Sequence, residues 1–143
     1  MVNKGILVRA DQWGHYTQTA AAATAPDAFI FTNPTGSGEY FEIVDATCHY
    51  DVAGGASCAA DVKVCTATTA TSGGTSALAS AFDLTATART PYRATLSSTA
   101  ANRIVPPGSA VAIDTSGTLT NLAGLMIRVR LRPVIVKKQR LAV

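Results

Sequence analysis

The chain has 143 residues, enough for one domain with its own hydrophobic core, and it needs no second domain. Charged residues make up only 15% of the sequence, below the roughly 25% of an average soluble protein, which predicts that a partner covers part of the surface. The net charge of +3 is unevenly distributed, because six of the 12 Lys and Arg residues lie at or after Arg128 and no acid follows Asp114.

No targeting or membrane segment is visible. The apolar run at residues 6–8 is interrupted by Arg9, so it is too short for the hydrophobic region of a signal peptide. No apolar run approaches the ~20 residues that a membrane-spanning helix needs. We therefore expect a protein that is made in a cytosol, is not exported by the Sec route and has no membrane partner.

The first 26 residues are predicted to form an extended N-terminal arm. Residues 5–9 are a candidate short strand, but residues 10–26 are polar and rich in Ala and Thr, without a sustained period. The run at residues 20–23 could form a helical turn, although so short a helix is marginal in water. Such an arm is either mobile or ordered by a neighbour.

The domain itself is predicted to span residues 27–133. Its strand candidates are separated by clusters of Gly, Pro, Ser and Asn, which favour turns. They lie at residues 28–32, 40–52, 61–69, 82–87, 92–97, 110–114 and 124–131. In the longest candidate, Val44, Ala46, Cys48, Tyr50 and Val52 share one face. Many short strands without an amphipathic helix predict an all-β fold, an antiparallel β-sandwich of about eight strands, most economically a jelly roll.

Strands 40–52 and 61–69 are predicted to pair as a hairpin. The register that sets Asp51 beside Lys63 also sets Tyr50 beside Val64 and Val52 beside Val62, which suits both faces.

The same register predicts the state of the cysteines. Cys48 would lie on the core face and Cys65 on the other face, beside His49, so the two should not form a disulfide. With Cys58 the number of cysteines is odd, and their spacing does not match a zinc site. A zinc site would need His49 as a further ligand, from across the hairpin. We expect three free thiols, no metal and no cofactor.

Strand 124–131 has the clearest pattern in the chain. Ile127, Val129 and Leu131 alternate strictly with a set of arginines, which predicts a half-buried strand that Pro133 ends or places at an edge. The arginines are Arg128, Arg130 and Arg132, and the basic C-terminal tail at residues 134–143 adds Lys137, Lys138 and Arg140.

These six basic residues are the candidate partner-binding residues, with three interpretations. The arginines could form a solvated sheet face paired with cross-strand acids, or an interface with an acidic neighbouring subunit. They could also bind nucleic acid, because alternate residues of a strand lie about 6.6 Å apart, close to the phosphate spacing. Nucleic acid is the least favoured partner, since no aromatic residues are interleaved to stack bases.

No catalytic motif is present. The sequence contains no Gly-x-Ser-x-Gly elbow, no phosphate loop and no His-Glu-x-x-His, and His15 and His49 lie far apart along the chain. We therefore do not expect an enzyme.

A pattern in the second half of the chain resembles a known class of proteins. It comprises Phe82-Asp83-Leu84, Ala94-Thr95-Leu96-Ser97, Val105-Pro106-Pro107-Gly108, Ala112-Ile113-Asp114, Gly117-Thr118-Leu119 and Ala123-Gly124-Leu125, followed by the alternating strand. The succession resembles virion proteins of tailed bacteriophages, in particular the small β-sandwich decoration (cement) proteins, over residues 40–133.

The resemblance implies a structural protein, often a homotrimer, that is made in the host cytoplasm and binds the outer capsid surface by bridging subunits of the major capsid protein. Two alternatives stay open. One is a tail or fibre component of the same virion. The other is a glycan-binding β-sandwich module, for which the sequence lacks an aromatic platform.

Overall fold

A computed structural model of the chain describes residues 10–18, 27–66 and 69–134. Within these ranges the secondary structure consists of β-strands and two short 3-10 turns, at Thr71–Gly73 and Ala100–Arg103. The strands are β1 (Gln12–Gln18), β2 (Ala28–Asn33), β3 (Tyr40–His49), β4 (Ala59–Thr66), β5 (Thr75–Ser76), β6 (Phe82–Asp83), β7 (Tyr92–Arg93), β8 (Ile104–Val105), β9 (Ser109–Ser116) and β10 (Leu125–Val134). None of the described residues forms a helix long and apolar enough to cross a membrane.

The strands form two antiparallel five-stranded sheets. The first sheet has the order β1-β10-β3-β7, with β8 also paired to β3, and the second has the order β2-β9-β4-β5, with β6 also paired to β4. The long strands β1 to β4 alternate between the sheets, and β9 and β10 return to lie beside β2 and β1. This order is that of a jelly roll, so the predicted all-β sandwich is confirmed.

Strand β10 lies at the centre of the first sheet, between β1 and β3. Leu125, Ile127, Val129 and Leu131 are buried in the core, whereas the side chains between them point away from it. The alternation predicted from the sequence is therefore confirmed. Pro133 pairs with Phe41 of β3 at a point beyond the end of β1, where the strand has only one neighbour and tolerates a missing N–H.

The core lies between the two sheets. Ile43, Ala46 and Cys48 of β3 meet Val62 of β4 and Val111 of β9, and all are buried. Tyr50, just past β3, is fully buried as well, and its hydroxyl donates a hydrogen bond to the carbonyl oxygen of Asp83 at 3.3 Å. The buried hydroxyl of Tyr50 therefore has a hydrogen-bond partner.

The predicted hairpin between residues 40–52 and 61–69 is wrong. Strands β3 and β4 lie in different sheets, and the chain crosses between them through a glycine-rich connection. Gly54 and Gly55 donate to the carbonyl oxygens of Leu84 and Thr118 at 3.0 and 2.8 Å. A Cβ on Gly54 would come within 2.3 Å of the Cys58 sulfur, so the crossover depends on glycine.

The ion pair that the predicted hairpin assigned to Lys63 forms with a different acid. Lys63 forms its ion pair with Asp114 of β9, at 2.5 Å, and not with Asp51.

A β-bulge in β3 changes which of its residues face the core. Arg130 lies opposite Asp45 and Leu131 opposite Ile43, so Val44 is an extra residue between the two pairs. Ile43 is therefore fully buried and Val44 only partly so, contrary to the predicted face. The predicted burial of Val52 is also wrong, since this side chain lies beyond β3 and is 45% exposed.

The prediction of an arm without periodic structure is wrong for β1. Gly14, Tyr16 and Gln18 are buried, while the residues between them are exposed, so this short segment has the period of a half-buried strand. The candidate strand at residues 5–9, the alanine run at 20–23 and the tail residues Lys137, Lys138 and Arg140 lie outside the described residues.

If β10 organises the core, its inward and outward positions should differ sharply in their effect on stability. Replacement of the fully buried Ile127 by Ala is expected to lower the free energy of unfolding by about 2 to 5 kcal/mol, because it leaves a cavity between the sheets. Replacement of its neighbour Met126, which is 45% exposed, should change it by no more than about 0.5 kcal/mol. Urea denaturation measures the free energy of unfolding of both variants. An equal decrease in the two would show that β10 does not have the described orientation toward the core.

Candidate functional site

The outer surface of the first sheet gathers the arginines of β10 with side chains of its two neighbours. The rows across the sheet are Trp13–Arg130–Asp45, His15–Arg128–Thr47 and Thr17–Met126–His49, and Arg132 lies beside Glu42. We call this surface the arginine face; it consists of Trp13, His15, Thr17, Glu42, Asp45, Thr47, His49, Met126, Arg128, Arg130 and Arg132. Both histidines, distant in sequence, thus lie on one surface.

Two of the three arginines are paired with acids of the same chain. Arg132 donates to Glu42 at 3.2 Å, and the side chain of Arg130 lies 3.7 Å from Asp11. These contacts are those expected of a sheet face with cross-strand acids, one of the three interpretations of the sequence. Because such pairs are partly solvated, each contributes only about 0 to 1 kcal/mol to stability.

Two further arginines border the face. Arg103 reaches the second oxygen of Glu42 at 3.3 Å, and Arg93 of β7 reaches Asp45 at 3.1 Å. Among the described residues, the face and its border therefore carry five arginines and three acids, Asp11, Glu42 and Asp45. The surface is mixed in charge with a positive excess.

Arg128 differs from the other four arginines of the face and its border, because none of the ion pairs among the described residues includes it. Its guanidinium carbon lies over the ring of Trp13, 4.7 Å from the ring centroid. The guanidinium of Arg130 lies at 6.0 Å from the same ring, and the imidazole of His15 is nearly parallel to it with centroids 6.4 Å apart. The Trp13 side chain is nevertheless 43% exposed.

Sequence reasoning missed Trp13. The arginine strand has no interleaved aromatic residues, and Trp13 lies on the adjacent strand, in the segment predicted to be an arm. The alternation of Trp13, His15 and Thr17 with Gly14, Tyr16 and Gln18 was the signal that could have identified β1. A seven-residue polar strand is weak evidence on its own.

The outer surface of the second sheet also carries charged residues, but these bind one another. Lys63 pairs with Asp114, and this hydrogen bond raises the pKa of Lys63. Asp61 accepts hydrogen bonds from Ser76 Oγ at 2.7 Å and from the Val62 amide at 2.8 Å. Burial raises the pKa of Asp61 despite these two bonds. The cluster is internally satisfied and has the character of a structural network.

The three cysteines are free thiols and all are buried. Cys48 faces the core, as predicted, and burial raises its pKa to about 12. Cys58 packs against Gly54, and the thiol of Cys65 lies 3.7 Å from the carbonyl oxygen of Thr71 in the first 3-10 turn. The prediction that Cys65 lies beside His49 is wrong, because β4 belongs to the other sheet. No group of three or more His, Cys, Asp or Glu side chains in the described ranges is arranged to hold a metal ion.

Comparison with known proteins gives no family, since no family model and no curated protein matches the chain. Two solved structures share its fold. A chain from the capsid of Ralstonia phage GP4 is 19% identical with a TM-score of 0.58, and the alignment covers 90% of this chain and 84% of that one. A chain from the capsid asymmetric unit of cyanophage Pam1 is 18% identical with a TM-score of 0.51, over 89% of this chain and 84% of that one.

The burial of the thiols determines their reactivity. Because the raised pKa keeps Cys48 protonated at neutral pH, iodoacetamide should not modify it in the folded protein at pH 7.5, and should modify all three cysteines in urea. Mass spectrometry counts the labels. Rapid labelling of Cys48 in the native protein at pH 7.5 would contradict its position in the core.

Proposed function

We propose that the chain is a structural protein of a tailed-phage virion, a decoration protein that binds the outer surface of the capsid and bridges subunits of the major capsid protein. The observation that carries the proposal is a fold shared over most of the chain with chains from two phage capsids. The low charge content supports it, since a surface covered in an assembly needs fewer charges.

A capsid role is preferred to a tail or fibre role because both structural neighbours are capsid chains. A glycan-binding module is a weaker alternative. Trp13 provides the exposed aromatic side chain that the sequence lacked, but Arg128 already lies over its ring at 4.7 Å. One side of the ring is therefore occupied, which leaves a poor platform for a sugar.

We also propose that the chain acts as a homotrimer. The edges of the sandwich are unequal: β1 and β2, of seven and six residues, lie on one side, whereas the opposite edges are strands of two residues. Long edge strands with unpaired backbone groups are commonly covered by a neighbour. A closed ring of copies would cover them by symmetry.

Attachment to the shell is assigned, in this proposal, to the arginines Arg128, Arg130 and Arg132 and to the chain ends, with Lys137, Lys138 and Arg140 in the C-terminal one. Ala10 precedes β1 and Pro133 is the last residue but one of β10, and both line one cavity of about 410 Å³ together with Phe31. The two ends therefore leave the domain near each other. They can contact the same neighbouring subunit.

The chain ends can be tested by truncation. Deletion of residues 1–9 and of residues 135–143, made separately, leaves β1 and β10 whole. We expect each deletion to reduce occupancy on purified shells assembled without this chain. The effect of the C-terminal deletion should be larger at low salt, because exposed charges are screened over about 8 Å at physiological ionic strength.

A full-length variant with Lys137, Lys138 and Arg140 replaced by Gln separates charge from chain length. It should lose the salt-dependent part of the binding and keep the remainder. If both truncated proteins occupy shells as well as the full chain at every salt concentration, the ends are not anchors.

A further inference from the structure

We propose that Trp13 and Arg128 form the anchor of the capsid-binding surface, and that they receive an acidic segment of the shell subunit. The inference rests on the proposed function and specifies which face of the sandwich meets the shell. It follows from the position of a large exposed aromatic side chain beside the one arginine of β10 without an acid partner among the described residues.

Neighbouring side chains on the arginine face hold the Trp13 ring in place. The guanidinium carbons of Arg128 and Arg130 lie 4.7 and 6.0 Å from the centroid of the Trp13 ring, and the centroid of the His15 imidazole lies 6.4 Å from it. These contacts restrain its side-chain rotamer before any partner binds, so less conformational entropy is lost on association. Trp13 remains 43% exposed. An aromatic side chain held in place yet open to solvent is typical of a binding anchor, and Trp and Arg dominate the energetics of protein interfaces.

The charges of the arginine face favour an acidic partner. Arg128 lies over the Trp13 ring, whereas each of the other four arginines is paired with an acid. The pairs are Arg130–Asp11, Arg132–Glu42, Arg103–Glu42 and Arg93–Asp45. The N–H groups of the Arg128 guanidinium lie in one plane, an arrangement suited to binding a carboxylate. The positive excess of the face favours a partner that carries acidic side chains.

The same charges argue against nucleic acid. Three carboxylates lie among the arginines of this surface, and they would repel a row of phosphates. A protein segment can place its own charges to match a mixed pattern, whereas a phosphate backbone repeats one sign. The partner that fits is therefore an acidic protein segment with an apolar group for the Trp13 ring.

The second sheet does not offer an equivalent surface. Phe29 is 51% exposed there. However, Lys63, a cation of that surface, is already bound to Asp114, and Asp61 of β4 and Asp27, the residue before β2, add further acids. An acidic partner would meet like charge. Phe29 is thus a matched control, an exposed aromatic residue on the wrong face.

The test compares binding of variants to shells of the cognate major capsid protein assembled without this chain. Trp13→Ala and Arg128→Ala should each weaken binding by about tenfold or more, as expected for interface anchors. Arg128→Glu should weaken it further. Trp13→Phe should retain part of the affinity, which distinguishes loss of the ring from loss of the fold, and thermal unfolding of each variant verifies folding.

Two control variants should bind like the wild type. Phe29→Ala removes the exposed aromatic side chain of the second sheet. Arg89→Asn removes an exposed arginine from a loop position with a φ of 58°, which Asn tolerates.

The outcomes separate the inference from the proposed function. A wild-type protein that does not bind shells overturns both. A wild type that binds, with Trp13→Ala and Arg128→Ala equally tight, overturns the inference alone. The inference is also overturned if shell binding is unchanged but these variants lose self-association on sedimentation, because the face would then bind a second copy of the chain. It is likewise overturned if shell binding is unchanged but they lose binding to single-stranded DNA, because the face would then bind nucleic acid.

Discussion

The position of β10 between β1 and β3 is the constraint on which both surfaces of the first sheet depend. Its inward residues fill the core against the second sheet, so its register cannot slip by one residue without exposing Ile127, Val129 and Leu131. The same register turns Arg128, Arg130 and Arg132 outward. The positions of the three arginines on the outer surface are thus a consequence of core packing.

The neighbours of β10 give that face its chemistry. The bulge at Val44 brings Asp45 opposite Arg130 while Ile43 remains in the core, so one extra residue lets β3 supply both acids and core side chains. On the other side, β1 places Trp13 beside the arginines. The acids therefore come from both sides of β10, Glu42 from β3 and Asp11 from the residue before β1, whereas the exposed aromatic surface comes from β1 alone.

The sequence was sufficient where a pattern was strictly local. The alternation of β10, the limits of β2 and the absence of sustained helical periodicity led to the correct fold class. It was insufficient where partners are distant along the chain. Lys63 was predicted to pair with Asp51, whereas it binds Asp114, because the crossover at Gly54 and Gly55 places β3 and β4 in different sheets. Trp13 was missed for the same reason, since β1 has a clear face only when β10 lies beside it.

The most direct test of the account is an image of the assembly. Electron cryo-microscopy of shells saturated with the chain should show the sandwich on the outer surface, as three copies around a local threefold axis. The sheet containing β1, β10 and β3 should be turned toward the shell, with Trp13 and Arg128 against acidic residues of the major capsid protein. A sandwich inside the shell, on the tail, or bound with the arginine face open to solvent would contradict the account.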